Sequence, residues 1–224
     1  MPAYTTRGTP ITYIINYQDH LSDIPASVAP LNEAPPALLH CANDMPYLTR
    51  VGASSFKDRQ FPMPWAFPIS PDEAKERARA TKRWVDGVHA AGVEYVIPYI
   101  CNQTLGGDPE KRLGIWWFYD RWEQYADDVG AKPPADPMEW MQREDDGSLH
   151  FNYPHRFVKT DPPLRYAPCP NNPYWHDWLK RNVGLIASYG YDGTFIDNNI
   201  MHCRCEHCQK EFRVYLRETY TDKD

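Results

Sequence analysis

The 224-residue chain has no basic stripe, no long apolar run and no basic-then-apolar leader. Each absence closes off a class of function. Lys and Arg total 24 against 30 Asp and Glu, for a net charge of -6. A chain without clustered cations cannot neutralise a run of phosphates, so nucleic acid is not an expected partner. No apolar segment approaches the ~18 residues of a membrane-crossing helix, so no membrane partner is expected either. The opening residues, MPAYTTRGTP, lack the charged and apolar regions of a secretory leader. The sequence as it stands therefore reads as cytoplasmic.

Hydrophobic residues make up 42% of the chain, enough to build a core rather than a disordered segment. Aromatics are abundant, with 8 Trp, 15 Tyr and 8 Phe, and there are 22 Pro. Loops rich in proline and aromatics, joining short apolar strands, suit a barrel whose loops build a site. Aromatic rings also pack on the C–H faces of pyranose rings, so the composition suits sugar binding as well. Core packing is the competing use of the same side chains.

Along the chain, Ile11–Asn16 and Ala37–Ala42 read as short strands, joined by a polar, proline-containing loop. Residues 58–70 read as a long loop. Ser70-Pro71-Asp72-Glu73 is a helix start: a capping serine, proline at the first helical position and acids in the first turn. That helix should stop at Gly92 and deliver the buried strand Tyr95–Ile100. A further helix is expected over Ile115–Val129, an irregular stretch over Lys132–Pro168, and a helix from Tyr174 to Tyr189 that ends at Gly190. Strand Thr194–Asp197 and helix Glu206–Tyr220 follow. Helix, glycine, strand, then loop is the repeating unit of a (β/α)8 TIM barrel, an α/β fold whose loops after the strands carry the site. About four strands are visible against the eight of a closed barrel. The expectation is one domain over residues 1–224, of TIM-barrel type, corresponding to an incomplete N-terminal half.

Cys203, Cys205 and Cys208 form C-x-C-x-x-C. Thiols so close in sequence pair poorly with one another but fold readily around one tetrahedral ion. Cys169, between Pro168 and Pro170, is the best fourth ligand, with His202 and His207 as competitors. Zinc in a closed, structural four-cysteine site is the expected cofactor. Cys41 and Cys101 follow predicted strands and read as buried free thiols.

Tyr191–Asn199 (YDGTFIDNN) reads as turn, strand and polar tip. Asp192 belongs to the turn. Asp197 sits at the strand's C-terminal end, where barrel enzymes keep catalytic groups, and is the candidate catalytic acid. Asn198 and Asn199 are candidate sugar ligands, as are Asp44, Tyr99, Asn102 and Trp116 at or near other strand ends or in the loops. Asn43, Gln103, Trp65, Trp117, Tyr119, Arg143, Asp145 and His155 carry weaker signals. His89 reads as a surface helix residue.

The run Arg165–Tyr174 (RYAPCPNNPY), the helix after it, Phe195-Ile196-Asp197-Asn198-Asn199, and the cysteine cluster with Phe212 and Leu216 together resemble glycoside hydrolase family 42 β-galactosidases. The resemblance covers residues 165–220. It implies a structural zinc held by Cys169, Cys203, Cys205 and Cys208, and hydrolysis of O-glycosyl bonds. One position departs from the pattern. The family's strand ends Asp-Asn-Glu, with the Glu as acid/base, and Asn199 stands in its place here. An amide cannot donate a proton as a carboxylic acid does. Asp197 is also similar in position to the nucleophile of α-amylase-like and α-fucosidase-like barrels, an analogy between folds. Retaining hydrolysis needs two carboxyls about 5–5.5 Å apart. With one well-placed acid, the chain alone is expected to be inactive. A non-catalytic carbohydrate-binding barrel and a zinc-stabilised interaction module are the alternative readings.

Overall fold

The computed structural model describes residues 12–14, 21, 23–41, 70–101, 105–151, 165–197 and 202–220. The chain divides into two compact units. Unit 1 comprises Met1–Phe61, Pro68–Ile100 and Asn182–Asp197; unit 2 comprises Pro62–Phe67, Cys101–Arg181 and Asn198–Asp224.

Unit 1 is an α/β layer. Its sheet has the order β1 (Thr12–Ile14), β2 (Leu38–Cys41), β3 (Tyr95–Cys101) and β7 (Phe195–Asp197). β1–β2 and β2–β3 are parallel, with Leu39 opposite Val96 and His40 opposite Ile97. Leu39, Cys41, Val96 and Ile100 are all buried and point to one face, because side chains alternate along a strand. His40 and Tyr99 lie on the other face, where Phe195 joins them at ring distances of 4.6 and 5.7 Å.

Helix α1 (Ile24–Glu33) replaces the loop expected between the first two strands. Asp23 caps it by accepting from the Ala26 N–H, and Pro25 sits in the first turn. Pro30 lies inside the helix, where it has no N–H to give the carbonyl of the preceding turn. Helix α2 (Pro71–Ala90) begins as expected, with a complete capping box between Ser70 and Glu73. Its buried positions Ala74, Thr81, Trp84, Val85 and Val88 recur at helical spacing and make one inward stripe. Trp84 donates its indole N–H to Ser27 of α1 at 3.1 Å. Gly92, at φ +98, ends α2 in the left-handed conformation that glycine adopts freely. Asp192 then ties the turn before β7 to β3: its carboxylate accepts from the Val96 N–H at 2.7 Å, and its own N–H donates to the Val96 carbonyl at 3.0 Å. His89, half-buried rather than a free surface residue, hydrogen-bonds the Val93 carbonyl and approaches the same Asp192 carboxylate at 3.4 Å.

Unit 2 has a different core, and its elements between residues 105 and 166 are short. β4 (Leu105–Asp108) pairs antiparallel with β5 (Leu113–Gly114) and β6 (Arg165–Tyr166). The single helix expected over 115–129 is broken into α3 (Ile115–Asp120), a 3-10 turn (Trp122–Tyr125) and α4 (Ala126–Val129). At Arg121 the backbone leaves the helical region (φ -112, ψ 13), which sets Trp122 and Tyr125 at ring distances of 5.3 and 4.8 Å from Phe118. Trp140 and Trp178 complete this pile, at 6.2 and 5.0 Å from Trp122. Helix α5 (Pro173–Ser188) leads out of unit 2, and α6 (Glu206–Thr219) follows the cysteine-bearing loop. The described residues thus form a four-stranded α/β sheet, the class expected, and a small three-stranded antiparallel one that the incomplete barrel half expected from the repeat did not include. No described helix is long and apolar enough to cross a membrane.

Candidate metal centre

The four thiols expected to share an ion lie together in unit 2. One ligand atom from each of Cys169, Cys203, Cys205 and Cys208 falls within 4.8 Å of every other. Two separations are 3.3 Å (Cys169–Cys208) and 3.6 Å (Cys169–Cys205). A tetrahedral ion with ~2.3 Å metal–sulfur bonds needs sulfurs about 3.8 Å apart. Cys169, Cys203 and Cys208 are buried and Cys205 half-buried, and none is in a disulfide. The donor set therefore fits a thiophilic divalent ion in a closed site. His202 and His207 stay outside the group: His202 is exposed and faces Glu144 at 3.8 Å, and His207 faces Glu206 at the same distance.

Two loops supply the thiols, and each is fixed by ordinary local chemistry. Cys169 donates its N–H to the Trp140 carbonyl at 2.8 Å, and its carbonyl accepts from Asn172 at 3.0 Å. Asn172, itself buried, caps α5 by accepting from the Tyr174 and Trp175 N–H groups. The Asn-Pro pair that announces the helix therefore also immobilises the loop of Cys169. In the second loop Cys205 is the N-cap of α6, and Cys208 sits in its first turn. Thiolates are favoured at that end of a helix by the unpaired N–H groups and the dipole.

Polar hydrogens converge on the sulfurs. The N–H groups of Arg143 and Cys205 reach Cys203 at 3.4 Å each, and the Asn171 amide reaches Cys208 at 3.5 Å. Cys203 is held well below the usual thiol range, first by the neighbouring Cys169 and Cys205 thiols, with the two N–H donors adding to them. Cys169 is pushed up because its proton is shared with Cys203 and Cys205 and because it is buried. Burial pushes Cys208 up to about 12. A bound cation would offset the cost of ionising the buried thiols.

Asp197 ends strand β7 in unit 1. Tyr99 is half-buried on β3, with its ring 5.9 Å from His40. Trp116, expected to offer a face to sugar, is instead fully buried in unit 2: it packs edge-on against Tyr166 and donates its N–H to Asp136 at 2.9 Å. Its size and its hydrogen-bond partner place it in the core, where its ring offers no open face to a sugar. Asp44, Asn102, Asn198 and Asn199 lie outside the described residues, as do Trp65 and His155. One neighbour of the thiols was not anticipated from the sequence: Asn171, two residues from Cys169, whose amide reaches Cys208.

No family model matches the chain, and no curated protein matches it. Among solved structures, it is similar to a maltogenic amylase from S. marinus, with 12% identity and a TM-score of 0.48 over 95% of this chain and 35% of that one. It is also similar to a gamma-CGTase from alkalophilic Bacillus clarkii, with 12% identity and a TM-score of 0.41 over 85% and 31% of the two chains. A Nostoc punctiforme debranching enzyme, acarbose soaked, gives 13% identity and a TM-score of 0.45 over 93% and 46%. The chain thus spans less than half the length of each of these structures.

Proposed function

We propose that the chain is part of a carbohydrate-acting α/β barrel of the glycoside hydrolase type, braced by a structural zinc on Cys169, Cys203, Cys205 and Cys208. The observation that carries this reading is the gathering of those four sulfurs within 4.8 Å from two loops remote in sequence. Four thiolates leave no position for substrate, so the ion's chemistry would be structural: it cross-links the loop before α5 to the loop after β7. Asp197 ends a strand of the four-stranded sheet of unit 1 and stands six residues before Cys203 in sequence.

In this reading Asp197 is the charged group toward a sugar, with Asn198, Asn199, Asp44, Asn102 and Tyr99 as hydroxyl or ring contacts. The resemblance of residues 165–220 to family 42 β-galactosidases supports the zinc and the substrate class. Asn199 argues against that family's acid/base step. A non-catalytic carbohydrate-binding barrel is therefore the second reading, favoured by that one residue.

Two measurements test the proposal. Elemental analysis of the native chain should return about one zinc per chain, the ratio set by one closed four-cysteine site. Titration of the chain with a panel of mono- and oligosaccharides should give saturable binding that is lost in Asp197→Asn. A chain with no bound metal removes the brace. A chain that binds metal but no glycan leaves the zinc-stabilised interaction module.

A further inference from the structure

We propose that Gln142 is the positioning residue of the metal centre, its buried side-chain amide joining the two thiol-bearing loops before any ion arrives. The inference rests on the metal-binding reading above. Gln142 is wholly buried, which is unusual for an uncharged amide unless every polar atom is used. Its Nε2 donates to the Pro168 carbonyl at 3.2 Å, one residue before Cys169. Its Oε1 accepts from the His202 N–H at 3.0 Å, one residue before Cys203. One side chain thus bridges the residues that immediately precede a thiol in each loop.

The backbone around Gln142 makes the same connection. Trp140 accepts from Cys169, Gln142 donates to Ala167, and Arg143 accepts from Arg204, at 2.8, 2.7 and 2.8 Å. The Arg143 N–H points at the Cys203 sulfur. Residues 140–143 are therefore a template against which both loops are laid, and the Gln142 side chain bonds to both. Its amide has the one chemistry the task requires: a donor at one end and an acceptor at the other. Leu or Met fills the space and bonds neither loop; Glu keeps the acceptor for His202 and loses the donor for Pro168.

The test uses the full chain and two probes. Co2+ is titrated while its tetrahedral thiolate absorption is followed, and the transfer of bound Zn2+ to a chelator is timed. Gln142→Met should weaken metal binding about 10- to 100-fold, the range for groups that orient metal ligands, and should speed release. Gln142→Glu should fall between Gln142→Met and native. Tyr119→Phe removes the hydrogen bond from the Tyr119 hydroxyl to the Pro133 carbonyl, elsewhere in unit 2, and should change neither readout. Circular dichroism sets the folded fraction at which each variant is compared. Metal binding by Gln142→Met as tight as native overturns the proposal. So does equal weakening by Tyr119→Phe, which would show that general stability is the cause. A native chain that binds no metal defeats the metal reading itself; a native chain that binds it, with Gln142 variants that bind equally well, defeats this inference alone.

Discussion

Unit 1 and unit 2 are held together by different physics. In unit 1 a long capped helix and adjacent parallel strands satisfy the backbone, and apolar residues at strand and helix spacing fill one side of the sheet. Its side chains mostly supply volume. Between residues 105 and 166, unit 2 has strands of two to four residues and broken helices, so regular ladders satisfy little of the backbone there. Side chains take over that work. Trp122, Trp140 and Tyr119 all donate to loop carbonyls, at 2.7, 3.2 and 2.9 Å. Asp136 accepts from the Trp116 indole, the Met138 N–H and Arg112. Arg112, at the positive φ of 51, is held there by ion pairs to both Asp120 and Asp136. A region built this way has few interchangeable parts, and a metal cross-link is most useful where ladders are shortest.

The contrast can be broken most severely at the thiols. On the proposed zinc site, Cys169→Ser removes the one thiol that the first loop gives the group, and strong chelation should act in the same way. Structural zinc sites in small peptides contribute apparent binding energies of about 10–16 kcal/mol. Unit 2 should therefore lose its near-ultraviolet tryptophan signal and its hydrogen-exchange protection, while amides of β2 and β3 stay protected. Equal loss in both units would show that the metal stabilises the whole chain and that the contrast is wrong.

Trp84→Ala attacks the other side. The ring is fully buried between α1 and α2, and such truncations cost about 3–5 kcal/mol. A drop in the thermal midpoint with metal content unchanged is the expected result. Co-loss of metal would argue for tight coupling.

Asp136→Ala should cost less, about 1–3 kcal/mol, chiefly by leaving the buried Trp116 N–H without its acceptor. The same carboxyl gives unit 2 an acid dependence. Burial raises the Asp136 pKa, but the Met138 N–H, Arg112 and Trp116 outweigh it, and the net shift is downward. Asp120 is lowered as well, mainly by its hydrogen bonds from Arg112. A lowered folded-state pKa contributes stability above the ordinary carboxylate range, and that stability is lost as pH falls through the folded value. Denaturant midpoints followed from neutral to acid pH should fall more steeply for native protein than for Asp136→Asn. Parallel curves would remove Asp136 from the account.

The smallest effect is expected at Ser70. Ser70→Ala breaks the capping box of α2 and should cost about 1 kcal/mol, read as a modest shift in the unit 1 transition alone.

The two units also differ in how much of them could be read in advance. Strand β3, helix α2 with its cap, and the α5–Gly190–β7 succession were legible, because each is coded by neighbours in sequence: a cap, a period, a glycine, an apolar run. Helix α1 was not, because Pro25 and Pro30 signal a loop locally, and only packing of α1 on α2 outweighs that signal. In unit 2 the apolar period over 115–129 was visible, but the break at Arg121 was not; it follows from the demand that Trp122 and Tyr125 meet Phe118. Trp116 shows the same limit from another direction. Its abundance class suggested a sugar platform, and its burial is decided by Asp136 and Tyr166, which lie far along the chain.

By itself the sequence determined the elements whose signals are local and pointed to the four thiols as a candidate group, with His202 and His207 as competitors, since C-x-C-x-x-C and a proline-flanked cysteine restrict what those side chains can do. Tertiary structure alone decided that the four sulfurs meet, that both histidines stay outside, and that Gln142 spans the two loops. Convergence of that kind depends on hydrogen bonds between segments about 60 residues apart, such as Gln142 and His202, and no local rule of spacing carries that information.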